Sequence, residues 1–276
     1  MKADLHIHST WSDGSMNIPA IIHLAKRLAL DFIALTDHDT MEGREEALEQ
    51  GKKQGVRIIP GIEISAFNPE NGRKVHILGY HIKDAEGMTA ACRPYLEDRH
   101  RVNLEAVDLI AAAGYPISRE DALSHTGLSG ILYRQHIIHA LADRGYETVF
   151  YGELYRKFFK TRGIALVKSR YMDAREAIRL TLDCGGIPVL AHPFQYDSLD
   201  LVPALAASGL KGIECWHYTQ TPEREKAVKE AAADYDLFLT PGSDFHGLYS
   251  EKAVPLGSIG PELEANHPLM VQRLFP

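Results

Sequence analysis

Cysteine is scarce in this chain of 276 residues: there are three, Cys92, Cys184 and Cys215, far apart and odd in number. That excludes a disulfide framework or a thiolate zinc knuckle and leaves them to pack as small hydrophobes. Net positive charge is also lacking, with 30 Lys and Arg against 37 Asp and Glu and a formal charge of −7. A broad cationic face for a nucleic-acid backbone is therefore not expected, and an anionic substrate would have to be drawn by local charge such as bound metal. No apolar run approaches the ~20 residues that cross a bilayer, and the first residues lack the basic-then-apolar layout of a secretory leader. The expectation is a soluble cytoplasmic protein with no membrane partner and no stable nucleic-acid partner beyond a short oligonucleotide substrate. Two further devices are missing. Gly185-Gly186 has no neighbouring Lys-Ser/Thr, so it is not a phosphate loop, and Ser9, Ser12 and Ser15 lie in no Gly-x-Ser-x-Gly elbow.

What the chain does carry is histidine and acid at particular places. Asp4-Leu5-His6-Ile7-His8 with Ser12-Asp13-Gly14 opens the sequence, and in a strand His6 and His8 face the same side and can serve one ion. Similar clusters recur as Thr36-Asp37-His38-Asp39, Gly61-Ile62-Glu63, Val75-His76, Ala191-His192-Pro193 and Gly242-Ser243-Asp244-Phe245-His246. One such histidine alone is usually a packed or surface residue. The set is different, because each member lies at or just beyond the C-terminal end of a short apolar, β-branched run.

Buried strands are expected at 3–8, 32–36, 57–64, 75–82, 165–168, 187–191, 212–216 and 237–240. Amphipathic helices between them cover 18–28, 41–54, 174–183 and 222–233. This alternation implies an α/β fold with a parallel sheet and crossover helices, whose functional groups gather at the carboxyl ends of the strands. The rhythm breaks over 88–164, where apolar residues recur at helical spacing. That stretch reads as a mainly helical insertion capping the substrate, between barrel portions 1–87 and 165–276.

Together these motifs resemble the polymerase-and-histidinol-phosphatase (PHP) family of metal-dependent phosphoesterases, across nearly the whole length. The resemblance implies a distorted seven-stranded (β/α) barrel. It also implies two to three divalent ions: the first held by His6, His8, Glu63 and Asp244, the second by Glu63, His76 and His192, the third by Asp13, His38 and His246. Glu63 would bridge through its two oxygens. Imidazole and carboxylate without thiolate suit Mn²⁺, Zn²⁺ or Fe²⁺. Metal-bound hydroxide, available because coordination lowers the pKa of water to about 7, would attack the phosphorus directly. Glu63, Asp244, His192 and Arg134 are the expected catalytic residues.

The chain looks most like the small stand-alone phosphatases of AMP and of nucleoside 3′,5′-bisphosphates. Tyr133-Arg134-Gln135-His136 resembles their Arg-x-His element, so Arg134 would clamp phosphate with its planar fork and His136 add a donor. Ile137-Ile138-His139 departs from the smaller residues expected next, and Lys168-Ser169-Arg170 stands where a His is common. Lys168 and Arg170 could meet a second anion, and His217 could protonate the leaving oxygen. Asp37 and Asp39 read as partners that orient neighbouring groups, and Glu214 as lying outside the ligand set. The expected activity is hydrolysis of a small phosphomonoester, a nucleotide or sugar phosphate. Its rivals are a cyclic phosphodiesterase or 5′-3′ oligoribonucleotide exonuclease, a noncatalytic metal-binding regulatory module, and an amidohydrolase.

Overall fold

The computed structural model describes residues 1–146 and 149–261. Positions 147–148 of the expected insertion and 262–276 of the expected barrel lie outside the described residues. In chain order the elements are β1 (Ala3–Ile7), α1 (Ile18–Arg27), β2 (Phe32–Leu35), α2 (Arg44–Gln54), β3 (Arg57–Phe67) and β4 (Lys74–Tyr80). Helices α3 (Ala85–Ala112), α4 (Arg119–Leu123), α5 (Arg134–Ala142) and α6 (Glu153–Phe159) follow. The chain then returns through β5 (Met172–Asp173), α7 (Ala174–Asp183), β6 (Ile187–Leu190), α8 (Val202–Ala207), β7 (Gly212–Trp216), α9 (Pro222–Asp234) and β8 (Phe238–Pro241).

Local signals explain the helix starts. Asn17 accepts the Ala20 N–H at 3.0 Å ahead of α1, Asp173 accepts that of Arg175 at 2.8 Å ahead of α7, and Thr221 caps α9 before Pro222. Such caps satisfy backbone donors that a helix leaves unpaired. Helix α1 then turns Ile18, Ile21, Ile22 and Ala25 inward, the spacing of one helical face.

The sheet runs β1-β2-β3-β4-β6-β7-β8, with β5 paired to the far end of β3. Past the last strand it nearly closes on itself: His8 N–H donates to Phe245 O at 2.9 Å and Phe245 N–H to His6 O at 3.2 Å. Ala3, Leu5, Ala34, Ile59, Leu78, Tyr80, Val189 and Phe238, drawn from six strands, fill the space inside. Two further apolar clusters pack helices on the outside of the sheet. A fourth, with Val107, Ile110, Leu132, Ile137, Leu141 and Phe158, belongs wholly to helices α3 to α6 and their connections.

Three expectations need correcting. The sheet is not parallel throughout, because β4 runs antiparallel to both β3 and β6. A short turn at 68–73 returns β3 directly into β4 as a hairpin, where Asn68 N–H donates to Arg73 O. Second, no strand forms at 165–168: Ala165 is buried among the helices while Leu166 and Lys168 are exposed, so the segment has no sheet partner. Strand β5 comes later and is two residues long. Third, α2 starts at Arg44 rather than 41, since Met41 to Gly43 form a turn.

Candidate metal centre

The edge where the parallel strands end gathers the histidines and acids. His8 follows β1, His38 follows β2, His192 follows β6, and Asp244 and His246 follow β8. Glu63 is in the middle of β3, yet β2 stops opposite Pro60, so Glu63 stands above the rim and bridges to His38. His76 lies near the start of β4. Only the antiparallel direction of that strand brings its beginning to the edge where its neighbours finish.

These side chains converge. Glu63 Oε1 lies 2.8 Å from His76 Nδ1 and 2.9 Å from His192 Nε2, and Glu63 Oε2 is 3.3 Å from both His6 Nε2 and His8 Nε2 and 3.1 Å from His38 Nδ1. Asp244 Oδ1 is 3.4 Å from His6 Nε2 and 3.2 Å from His8 Nε2. Asp13 Oδ1 is 3.2 Å from His246 Nε2, 3.7 Å from His8 Nδ1 and 3.9 Å from His38 Nε2. Three groups result whose donor atoms all fall within 4.8 Å of one another: His6, His8, Glu63 and Asp244; His38, Glu63 and His76; His8, Asp13, His38 and His246. Thus His8 also reaches the group of Asp13, and His38 also reaches Glu63.

The donor set fits divalent metal. His6 Nε2, His8 Nε2 and Asp13 Oδ1 are buried without a hydrogen-bond partner, a costly state for polar atoms that a cation would relieve. The tautomers agree. His6 Nδ1 is 3.0 Å from Glu214 Oε1, and His246 Nδ1 is 2.8 Å from the Asp244 carbonyl. Each Nδ1 therefore carries a proton, and each Nε2 faces the cluster as the nitrogen a cation would take, displacing any proton held there. Negative charge is in excess. Burial works against a charged His6, but Glu214, Glu63 and Asp244 outweigh it and hold its pKa well above the usual imidazole range; His8 is likewise raised to about 10. Burial would also raise the carboxyls of Glu63 and Asp244, yet the surrounding histidines hold both well below their usual values.

Neighbouring groups hold this arrangement in place. Glu214, fully buried, also accepts the His192 backbone N–H at 2.7 Å. Asp37 accepts Ser9 N–H, Ser9 Oγ and Ser12 Oγ, which fixes the loop between His8 and Asp13. Asp39 accepts Ser65 N–H and Arg99, and Asp4 accepts Ser243 N–H, Ser243 Oγ and Gly257 N–H. Gly242 must lack a side chain: a Cβ there would stand 2.1 Å from Glu214 Oε1 and 2.4 Å from His6 Cβ. His192 and Asp244 are held at φ of 22° and 52°, left-handed geometry that costs on the order of 1–3 kcal/mol per residue and persists where surrounding contacts enforce it.

Above the cluster opens a cavity of about 280 Å³, whose lining also includes Lys74, Arg99, Arg134 and Lys160 and several tyrosines. Arg134, the first residue of α5, is half-buried with its guanidinium 5.1 Å from the Phe159 ring. The remaining expected substrate contacts divide. Lys168 and Arg170 are exposed and line no part of the cavity, whereas Ser169 and Tyr171 of the same segment do, so alternate residues turn to solvent, with Arg170 N–H tied to Asp98. His136 is buried but likewise off the lining: its Nδ1 accepts Tyr133 N–H at 3.2 Å as part of the helix cap. His217 is buried, with Nε2 3.6 Å from Asp244 Oδ2 and Nδ1 accepting Thr219 N–H.

Sequence reasoning missed Lys74, Arg99, Lys160 and Gln135. Lys74 had a usable signal, since it precedes His76 by two residues in one strand and so shares its face. Arg99 sits in the polar run Glu97-Asp98-Arg99-His100-Arg101 of α3 and gave none. Gln135 donates to Asp13 Oδ2 at 3.1 Å and to Tyr151 at 2.7 Å, a tie from α5 to the cluster.

The PHP domain family matches residues 4–149. Over 250 residues the chain is 42% identical to a phosphoribosyl 1,2-cyclic phosphate 1,2-diphosphodiesterase of Eggerthella lenta, covering 90% of this chain and 95% of that protein. It is 29% identical over 254 residues to a 3′,5′-nucleoside bisphosphate phosphatase of Chromobacterium violaceum, covering 88% and 86%. In structure it superposes, with a TM-score of 0.83 and 28% identity, on a provisionally assigned metal-dependent phosphoesterase of Bifidobacterium adolescentis, over 93% of this chain and 91% of that one. The chain belongs to the PHP domain family, as its motifs implied. No helix among the described residues is long and apolar enough to cross a membrane.

Proposed function

We propose that this metal-dependent phosphoesterase of the PHP family acts on a small ribose-phosphate ester, opening a five-membered cyclic phosphate and then removing the monoester so formed. Water adds across the first P–O bond to give a monoester and a free hydroxyl; a second water releases phosphate. The carrying observation is the cavity itself. It gathers the cluster's His38, His76, His192, His246, Glu63, Asp13 and Asp244 with Lys74, Arg99, Arg134 and Lys160 around one space of about 280 Å³ that suits a small polyanion. The 42% identity to the cyclic phosphodiesterase, over nearly the full length of both chains, supports the diester as the entering substrate.

His6, His8, Glu63 and Asp244 would hold one ion, Glu63, His76 and His192 a second, and Asp13, His38 and His246 a third, from among Mn²⁺, Zn²⁺ and Fe²⁺. Such ions supply an activated water at neutral pH and neutralise charge on the phosphoryl oxygens. The chain supplies the rest. Arg134 grips non-bridging oxygens with its fork, and Lys74 and Lys160 attract a second anionic group on the ribose. Arg99, fixed by Asp39 and Ser65 at 2.7 Å each, presents charge without needing to reorganise. The N–H at His217 Nε2, fixed there because Nδ1 accepts Thr219 N–H, can donate a hydrogen bond to the leaving oxygen beside Asp244, the proton that oxygen finally takes coming from water. Residues 88–164, as a helical cap, would orient the substrate and exclude water.

A second reading, a monoesterase acting on nucleoside bisphosphates, is favoured by the same cationic wall, which would take the phosphate that is not cleaved. Phosphate release from a cyclic ribose phosphate, AMP, adenosine 3′,5′-bisphosphate and a 5′-phosphorylated oligonucleotide separates the readings. No turnover of the cyclic ester with turnover of the bisphosphate would replace the first reading by the second. Silence on every ester with metal restored would favour a noncatalytic module, and cleavage of amides alone an amidohydrolase.

A further inference from the structure

Away from this cavity, His125 just past α4, His139 on α5 and Asp143 at the end of α5 bring ring nitrogens and a carboxylate within 4.8 Å of one another. We propose that these three residues form a separate binding site for a divalent transition metal of the Zn²⁺ class, joining α4 to α5. His139 and Asp143 stand four apart and so share a helix face. Asp143 Oδ2 is 3.0 Å from His125 Nε2, and Oδ1 is 3.9 Å from His139 Nε2. Those separations bracket the roughly 3.3 Å edge of a tetrahedron whose ligands lie ~2.05 Å from the ion.

The rings are prepared for this use. They stack at 3.9 Å between centroids with 22° between planes, which points both Nε2 atoms toward the one carboxylate. His139 Nδ1 lies 2.7 Å from the Tyr249 hydroxyl, an outside partner of the kind that fixes a ligating imidazole and frees its other nitrogen. The Phe150 ring closes the side of His139 edge-on at 5.7 Å. Asp143 keeps 61% of its side-chain surface exposed, so an ion can enter from solvent and retain water at its fourth position. Two imidazoles and one carboxylate favour Zn²⁺, Ni²⁺ or Co²⁺ over Mg²⁺ or Ca²⁺. None of the three residues lines the main cavity.

The test uses the whole protein, with its main centre already loaded with Mn²⁺, dialysed against Zn²⁺; total ions per chain are then counted by mass spectrometry. Wild type should retain one more ion than His125→Gln/Asp143→Asn, while both turn over saturating substrate at the same rate. A second readout needs no variant: Zn²⁺ should protect His125 and His139 of wild type from diethylpyrocarbonate, located by peptide mapping. Equal ion totals, or modification of these two histidines that zinc leaves unchanged, overturns the site. Because the ion difference between wild type and variant and the protection of His125 and His139 both concern residues outside the main centre, failure here leaves the main centre untouched.

Discussion

Glu214 Oε1 and His6 Nδ1 lie 3.0 Å apart with neither side chain exposed to solvent, although 208 positions separate them in sequence. The other oxygen of Glu214 holds the backbone of His192, so one buried carboxylate positions two imidazoles of the cluster. Glu214→Gln keeps the shape and removes the charge. It should weaken divalent-metal affinity about 10–100-fold, measured by metal titration, with activity restored by excess Mn²⁺. Unchanged affinity would show that Glu214 only fills space.

Glu63 reaches five histidines through two oxygens, and no other residue of the cluster touches as many. Glu63→Gln should lose at least one bound ion and lower turnover by at least ~100-fold. Ion counting alongside steady-state kinetics checks this; full ion content at normal rate would remove Glu63 from the centre.

Arg134 lines the cavity, whereas Lys168 does not. Arg134→Ala should raise KM roughly tenfold or more with metal content unchanged, and Lys168→Ala should leave both parameters alone. A silent Arg134 variant would mean that the phosphate clamp lies elsewhere on the wall, with Arg99 and Lys74 next in line.

Chelation should abolish activity and lower the melting temperature together. Ions bound only by the folded state stabilise it by mass action, about 2.7 kcal/mol per site at a hundredfold excess over Kd. Re-addition of Mn²⁺ should restore both. A melting temperature indifferent to chelator would argue against metal at the buried donors.

The three cysteines are buried. Burial pushes all of their thiols up, that of Cys215 to about 12. A group raised in this way stays protonated through neutral and mildly alkaline pH, so no nucleophilic thiolate is present. Ellman's reagent at pH 8 should therefore find none in the native protein and all three after denaturation. Rapid native reaction at any one would contradict the packing around it.

How much of this was legible beforehand depends on the range of the interaction. His6 and His8 could be paired because strand alternation is local, and His38, His192, Asp244 and His246 stood out because each follows an apolar run that ends at a sheet edge. Arg134 was visible as the opening residue of an apolar helix. Glu214 was noticed at the correct edge, but its grip on His6 depends on how β7 lies against β1. Lys168 and Arg170 fall outside the cavity lining while Ser169 and Tyr171 of the same segment belong to it, and which alternate residues turn inward there depends on the packing of a segment without a strand partner.

The order of the short runs and the residues that end them were enough to specify an α/β fold with acids and imidazoles at one sheet edge, because periodicity and strand ends are properties of short segments; the distorted barrel was implied by the resemblance of the motifs to the PHP family. Tertiary structure alone decided that β4 turns back, which carries His76 to the rim, and that Lys74, Arg99 and Lys160 line one cavity with the cluster. Those outcomes follow from sheet closure and from the docking of α3 to α6 over it, and contacts between residues so far apart in the chain leave no mark on either segment by itself.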